Sequence, residues 1–174
     1  ATEEEISYDL AKDYMGGVGF AFKYLYDEFT PGTDALNPCN LLIFAVGPLN
    51  ATGAPCANRM AVAAKSPLTN SIAAAFSSVQ FPDELKKAGF DMIVIEGRAE
   101  KPTYVSISDG QVRFRNAAKL MGVQTTDTQL FIKDELRDHN FRVACIGPAG
   151  ENQTCHAALI HDAGNGAGQG GLGA

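Results

Sequence analysis

An α+β fold, with mixed or antiparallel sheets and short helices, follows from three features of the sequence. Helical and extended segments do not alternate as βαβα units, which disfavours a doubly wound parallel sheet. Asp109-Gly110 lies between two alternating runs, residues 103–108 and 111–115, and this dipeptide is a strong signal for a tight antiparallel hairpin. Residues 41–46 and 92–95 are apolar without interruption, as expected of strands buried on both faces.

Taken in order, residues 9–29 read as helix broken at Gly16-Gly17-Val18-Gly19. Beyond the break, Phe20/Tyr24, Ala21/Leu25 and Phe22/Tyr26 form a wide apolar face. The glycines there suit a tight helix junction better than a ligand loop. Thr30-Pro31-Gly32 ends the segment. After the buried strand 41–46 comes a turn-rich loop with Gly47-Pro48 and Gly53-Ala54-Pro55. Residues 59–65 and 71–77 are two alanine-rich strands, suited to close packing against something bulky. Residues 82–88 form a short helix with proline in its first turn. Residues 91–97 are the second buried strand, followed by the hairpin. Thr126-x-x-Gln129 has the form of a capping box opening a helix that ends near Asp138. Residues 142–146 and 154–160 read as strands separated by Gly147-Pro148-Ala149-Gly150, bringing the tally to about eight strands and four helices. Val46-Gly47-Pro48 and Ile146-Gly147-Pro148 each end a buried strand, which raises a duplicated unit as one reading and chance as the other.

Composition narrows the function. The chain has 174 residues, 45% hydrophobic and 20% charged, with a net charge of −6, which excludes a disordered or collagenous chain. Its length suits one domain, residues 1–174. An acidic chain without a basic cluster is not expected to bind nucleic acid. No run is long enough to span a bilayer as a helix, and no signal-peptide pattern opens the chain; no membrane partner and a cytoplasmic location are expected. Cys39, Cys56, Cys145 and Cys155 lack CxxC spacing and read as buried or half-buried thiols in a reducing compartment. His156 and His161 fall on opposite faces of a strand and are not expected to share a metal. His139 reads as a surface residue.

Of 18 glycines, six lie between Gly164 and Gly173. Gly168-Gln169-Gly170-Gly171-Leu172-Gly173 matches GxGxxG, but without the following helix and acidic residue of a dinucleotide site. Exposed backbone N–H groups here could bind phosphate; a flexible tail is the equal alternative. Because the chain stops inside this run, it is expected to be a fragment. Arg59 enters an alanine-rich strand beside a turn-rich loop and could present a fixed guanidinium to an anion; an ordinary surface arginine is the other reading. No nucleophile–base pair or paired carboxylates stand out, so the residues alone suggest a domain offering loops and glycine backbone to a large anionic ligand.

Several segments, in order, resemble one family. They are Gly16-Gly17-Val18-Gly19-Phe20, Tyr26-Asp27-Glu28, residues 40–49, Lys65-Ser66-Pro67-Leu68-Thr69, residues 88–97 with Ala99-Glu100-Lys101-Pro102, residues 146–152 and residues 168–174. Together they are similar to the N-terminal domain of the aldehyde ferredoxin oxidoreductase family of tungsten enzymes. The resemblance implies an internally duplicated α+β domain forming the base for a tungsten (or molybdenum) bis-pterin. Later domains would carry a [4Fe-4S] cluster and the acid–base residues. The implied reaction is oxidation of an aldehyde to a carboxylate, with ferredoxin or another electron carrier as partner besides the enzyme's remaining domains; homo-oligomerisation is left open. The fragment alone is expected to be inactive.

By position, the resemblance gives Arg59 the role of an arginine between pterin and cluster. Phe76-Ser77-Ser78-Val79 falls on a pterin-phosphate loop that usually reads Asn-Ser-Gly-Gly, so Phe76, Ser78 and Val79 depart from the pattern. Asn165, Gly166, Gly168, Gln169 and Gly170 fall on a second phosphate loop, with Asn165 and Gln169 where arginines are usual. Backbone carbonyls of Phe76 and Gly166 are the implied ligands of a bridging Mg²⁺. The missing arginines imply either weaker phosphate binding or a divergent branch, such as the aromatic-acyl-CoA reductase relatives. A stand-alone phosphate- or nucleotide-binding module and a cofactor-free structural domain remain as further alternatives.

Overall fold

The computed structural model describes residues 1–174. Helix α1 (Tyr8–Tyr14) starts where the Ser7 side chain accepts the Leu10 N–H, and it ends at Met15 in the left-handed conformation. Helix α2 (Val18–Glu28) follows at once. A Cβ on Gly19 would collide with the Tyr14 carbonyl, so the glycine cluster is the tight junction expected. Gly17 N–H also donates to the Val46 carbonyl at 2.9 Å, tying the junction to the end of the first strand.

Strands β1 (Leu42–Val46), β2 (Met60–Lys65), β3 (Ile72–Ser77) and β4 (Met92–Ile95) form one sheet in the order β3-β2-β1-β4. Every pairing in it is antiparallel. The pleat sorts its side chains into two cores. On one face Ile43, Ala45 and Ala63 pack with Leu41 and with Ala21 and Leu25 of α2. On the other, Phe44, Val46, Met60, Val62 and Ala64 meet Leu85, Leu159, Ala167 and Leu172. Leu85 comes from helix α3 (Phe81–Lys87); the last three come from the C-terminal part of the chain. The alanines of β2 and β3 therefore admit neighbours on both faces.

Strands β5 (Thr103–Ser108) and β6 (Gln111–Asn116) form a separate hairpin. Asp109 (φ 50°) and Gly110 (φ 73°) both take the positive φ that a type I′ turn requires. Tyr104, Ser106 and Arg115 occupy one face, where Arg115 Nε donates to Ser106 Oγ and Tyr104 OH donates to Glu135 of the next helix. Val105 and Phe114 share the opposite, exposed face.

Helix α4 (Thr125–Leu136) leads to β7 (Ala144–Cys145), a short α5 (Pro148–Glu151), β8 (Leu159–His161) and β9 (Asn165–Ala167). The last three strands form an antiparallel sheet, β7-β8-β9. Thus β1-β2-β3 and β7-β8-β9 are both antiparallel meanders. In each, the connection after the first strand (residues 47–59 and 146–158) carries Gly-Pro at or next to its start and has the same length. This is the structural counterpart of the expected duplication. The third strands of the two meanders, β3 and β9, pack on each other.

Several local expectations are corrected. The strand expected over residues 154–160 is confined to Leu159–His161, because Thr154 and Ala157 place their N–H groups on Ala149 and Thr154 carbonyls in successive turns. The strand expected over 142–146 shrinks to two residues. Asn165–Ala167, read as loop, is a strand. The capping box does not form: Gln124 is the N-cap without a side-chain bond, and buried Gln129 instead accepts the Ala163 N–H at 3.0 Å. A tertiary partner has replaced the local one. Three cysteines, Cys39, Cys56 and Cys155, are exposed and only Cys145 is half-buried, because the first three lie in turn-rich loops outside both cores. No helix is long and apolar enough to cross a membrane.

Candidate functional site

The residues singled out in the sequence gather along β3, an edge strand. Arg59 immediately precedes β2 and stacks its guanidinium over the Phe76 ring, 5.2 Å from the centroid. Both are exposed. By the alternation of β3, Phe76 projects on the face that carries Ala74, whereas Ser77 projects on the opposite, glycine-bearing face with Ala75. The structure thus brings Arg59 and Phe76 together but separates their side chains from that of Ser77.

Ser77 is buried and contacts the His161 imidazole. Ser78 is half-buried, and Val79 follows at φ 80°. A β-branched residue there is strained, at about 1–2 kcal/mol for an L-residue in left-handed backbone. Asn58 Nδ2 donates to the Val79 carbonyl at 3.0 Å and holds the turn in place. Val79 therefore keeps a glycine-like backbone without being glycine. Val79→Gly is expected to raise stability by about 1 kcal/mol, once greater freedom of the unfolded chain is deducted. A urea midpoint unchanged or lowered by the substitution would contradict that strain.

The glycine-rich end is not a free tail. From Asp162, whose carboxylate meets the Gln80 and Phe81 N–H groups beyond the end of β3, the chain runs back past β3 to Gly170, which faces Ala73. Buried Ser66 donates its hydroxyl to the Gly170 carbonyl at 2.6 Å and accepts the Leu68 and Thr69 N–H groups. Gly173 N–H donates to the Ala157 carbonyl, and Leu172 is buried. Gly171 (φ 67°) lies against the Cys155 carbonyl with no room for a Cβ. Gly164 and Gly168 differ, since neither has a positive φ nor any atom within 4 Å of an added Cβ. Internal packing gives no reason for these two glycines. Both are exposed, as are Asn165, Gly166 and Gln169 beside them.

These features fit a large anionic group: an exposed guanidinium, open glycine backbone, and two edge strands, β3 and β9, each with a row of backbone groups lacking ladder partners. No cluster of His, Cys, Asp and Glu side chains is arranged to hold a metal by itself. His139 is exposed, as expected, and so is His156. His161, read only as an improbable metal ligand, is fully buried. The available signal was its place in an apolar strand, directly before an acidic residue.

Two titrating groups lie outside this region. Burial pushes the Cys145 thiol up from 9.0 to about 11. Burial, and then the bond to Glu135, push Tyr104 up from 10.0 to about 12. Both are neutral when folded and gain charge more readily when unfolded. Their contribution is therefore complete below about pH 9 and is lost as pH rises through about 11 for Cys145 and 12 for Tyr104. The unfolding midpoint is expected to fall from pH 9 upward, more steeply than in Cys145→Ala. At pH 8, iodoacetamide should label Cys39, Cys56 and Cys155 well before Cys145; equal labelling rates by mass spectrometry would refute this.

The 76–79 turn and the glycine segment lie along one strand, β3, with the Arg59–Phe76 stack on the other face of that strand. The aldehyde ferredoxin oxidoreductase N-terminal domain model matches residues 1–174, and the chain belongs to this family. Among its relatives, the tungsten-containing aldehyde ferredoxin oxidoreductase of Pyrococcus horikoshii is 43% identical over 172 residues, 99% of this chain. That of Pyrococcus furiosus is 44% identical over 171 residues, 98% of the chain. The chain spans 28% of the length of either relative. A solved chain of the active-site complex BamBC of benzoyl coenzyme A reductase, in complex with 1,5-dienoyl-CoA, superposes with a TM-score of 0.94. It is 35% identical and covers 97% of this chain and 26% of its own.

Proposed function

We propose that this chain is the cofactor-binding domain of a cytoplasmic tungsten (or molybdenum) bis-pterin oxidoreductase, one part of a longer enzyme that oxidises an aldehyde to a carboxylate. The observation that carries the reading is the glycine segment pinned along β3, the strand that runs into the 76–79 turn; the Arg59–Phe76 stack lies at the same end of that edge strand, on its other face. When bound, the metal–pterin group supplies the two-electron chemistry, and the protein supplies position and electrostatics. Arg59 contributes a permanent cation at the pterin. Ser77, Ser78 and Val79 form the turn at one phosphate, while Asn165, Gly166, Gly168, Gln169 and Gly170 offer backbone and amide groups at the other. Phe76 and Gly166, on edge strands, are the residues whose carbonyls would hold Mg²⁺. A [4Fe-4S] cluster would be ligated by cysteines of the remaining domains, and ferredoxin or another carrier would take the electrons.

The test is metal and pterin analysis of the anaerobically purified full-length protein. Tungsten or molybdenum with pterin and iron is the expected result; absence of both metals, or of pterin, would overturn the reading. A second reading, reduction of an aromatic acyl-CoA, is favoured by the match to the benzoyl coenzyme A reductase chain and by Asn165 and Gln169 in place of arginines. Aldehyde-dependent and acyl-CoA-dependent turnover of the same preparation distinguishes the two.

A further inference from the structure

Two adjacent residues at the end of β8 hold both ends of the turn that follows β3. The fully buried imidazole of His161 meets Ser77 Oγ through Nε2 and Asp162 Oδ2, at 2.9 Å, through Nδ1. The same carboxylate oxygen accepts the backbone N–H of Gln80 at 3.0 Å and of Phe81 at 2.8 Å. The Phe81 ring packs on the imidazole with centroids 5.7 Å apart. On its other side this pair runs directly into the glycine segment: Asn165 Nδ2 donates to the Asp162 carbonyl at 3.2 Å, and β9 is laddered to β8. The second carboxylate oxygen of Asp162 is buried, with Arg142 Nε 4.0 Å away. Ser77 is itself enclosed, so this Ser–His–Asp set cannot reach an outside substrate and is not a hydrolytic triad.

We propose that Ser77, His161 and Asp162 form a positioning unit that fixes the turn at residues 76–79 relative to the segment 165–170, so that cofactor retention depends on it. The inference rests on the cofactor-binding reading above. Two loops that grip one ligand must keep their groups in register, because hydrogen bonds weaken steeply as distance and angle depart from ideal. Ser77 and His161 are separated by 84 residues. Apart from this unit, the segment 165–170 is held by the Ser66–Gly170 hydrogen bond at the far end of β3 and by apolar contacts around Ala73, Ala75 and Ala167, which carry no direction; only the unit ties it to the 76–79 turn. Buried hydrogen bonds are directional and costly to leave unmade, and so define one spacing.

The experiment uses the full-length enzyme with Asp162→Ala, Asp162→Asn, Ser77→Ala and, as a control in the opposite core, Ile43→Val. Tungsten or molybdenum and pterin per chain are measured beside the unfolding midpoint and amide hydrogen exchange. Asp162→Ala should lower cofactor content about tenfold or more, the factor that corresponds to losing one charge-assisted hydrogen bond. Exchange should rise in residues 76–81 and 163–170 together, with β1 and β2 unchanged. Asp162→Asn, which keeps an acceptor for Gln80 and Phe81, should recover most of the content. Ile43→Val should lower the midpoint and leave content intact. Wild-type content in a folded Asp162→Ala enzyme would overturn the proposal, as would cofactor loss in Ile43→Val. If Asp162→Ala does not fold, Ser77→Ala decides on the same readouts, and unchanged content overturns the proposal. A wild-type enzyme without metal or pterin would instead refute the reading of the site, and exchange would still report whether the two loops move as one.

Discussion

Gly171→Ala is expected to destabilise the domain by about 3–5 kcal/mol, the range reserved for backbone strain combined with overpacking. The new methyl would overlap the Cys155 carbonyl, with Pro67 Cγ 3.4 Å away on another side, at a residue whose φ is 67°. Relief requires the C-terminal segment to leave the sheet. That movement would break the Ser66–Gly170 hydrogen bond and expose Leu172. Gly168→Ala is the matched comparison, since its Cβ would enter open space at ordinary backbone angles, and it should unfold within about 1 kcal/mol of the wild type. Denaturant melts of the two variants provide the measurement. Similar midpoints would mean that the segment is not held as described.

Arg59→Ala should act on the cofactor instead. Its side chain is exposed and its one described contact is the face of Phe76. Such a pair contributes only about 0.5–1 kcal/mol to folding. A charge-assisted bond to a buried anionic group is larger, about 1.5–3 kcal/mol, which corresponds to roughly a ten- to hundredfold loss of cofactor affinity. In the full-length protein, Arg59→Ala should therefore retain its unfolding behaviour without cofactor while its metal and pterin content falls. Arg59→Lys should recover little, because an ammonium lacks the planar fork. Unchanged content would remove Arg59 from the site.

Much of the fold was legible because local signals and tertiary packing agree. The doubly apolar β1, the alanine-rich β2 and β3, and the Asp109-Gly110 hairpin each declare themselves through pattern or turn chemistry. The 159–167 region was misread because its strands are two or three residues long and its glycines mask the extended backbone of Asn165–Ala167. The site divides in the same way. Arg59 and the glycine run stand out in the sequence, whereas the role of His161 depends on a contact across 84 residues that no local spacing encodes. Val79 was read as a lost glycine. The structure keeps the backbone shape and places the cost in side-chain strain.

The two faces of the central sheet differ in when they can be completed. The core with α2 uses residues between Ala21 and Ala63, joined by partly buried neighbours up to Val94, so it can close while the chain is still being synthesised. The opposite face needs Leu159, Ala167 and Leu172, and its fastening from Ser66 to Gly170 spans 104 residues. Until those residues leave the ribosome, Phe44, Val46, Met60 and Val62 lack part of their cover. At synthesis rates of about 5–20 residues per second this interval lasts several seconds, long enough for a chaperone to act on the half-built sheet and for aggregation to compete with docking of the glycine segment.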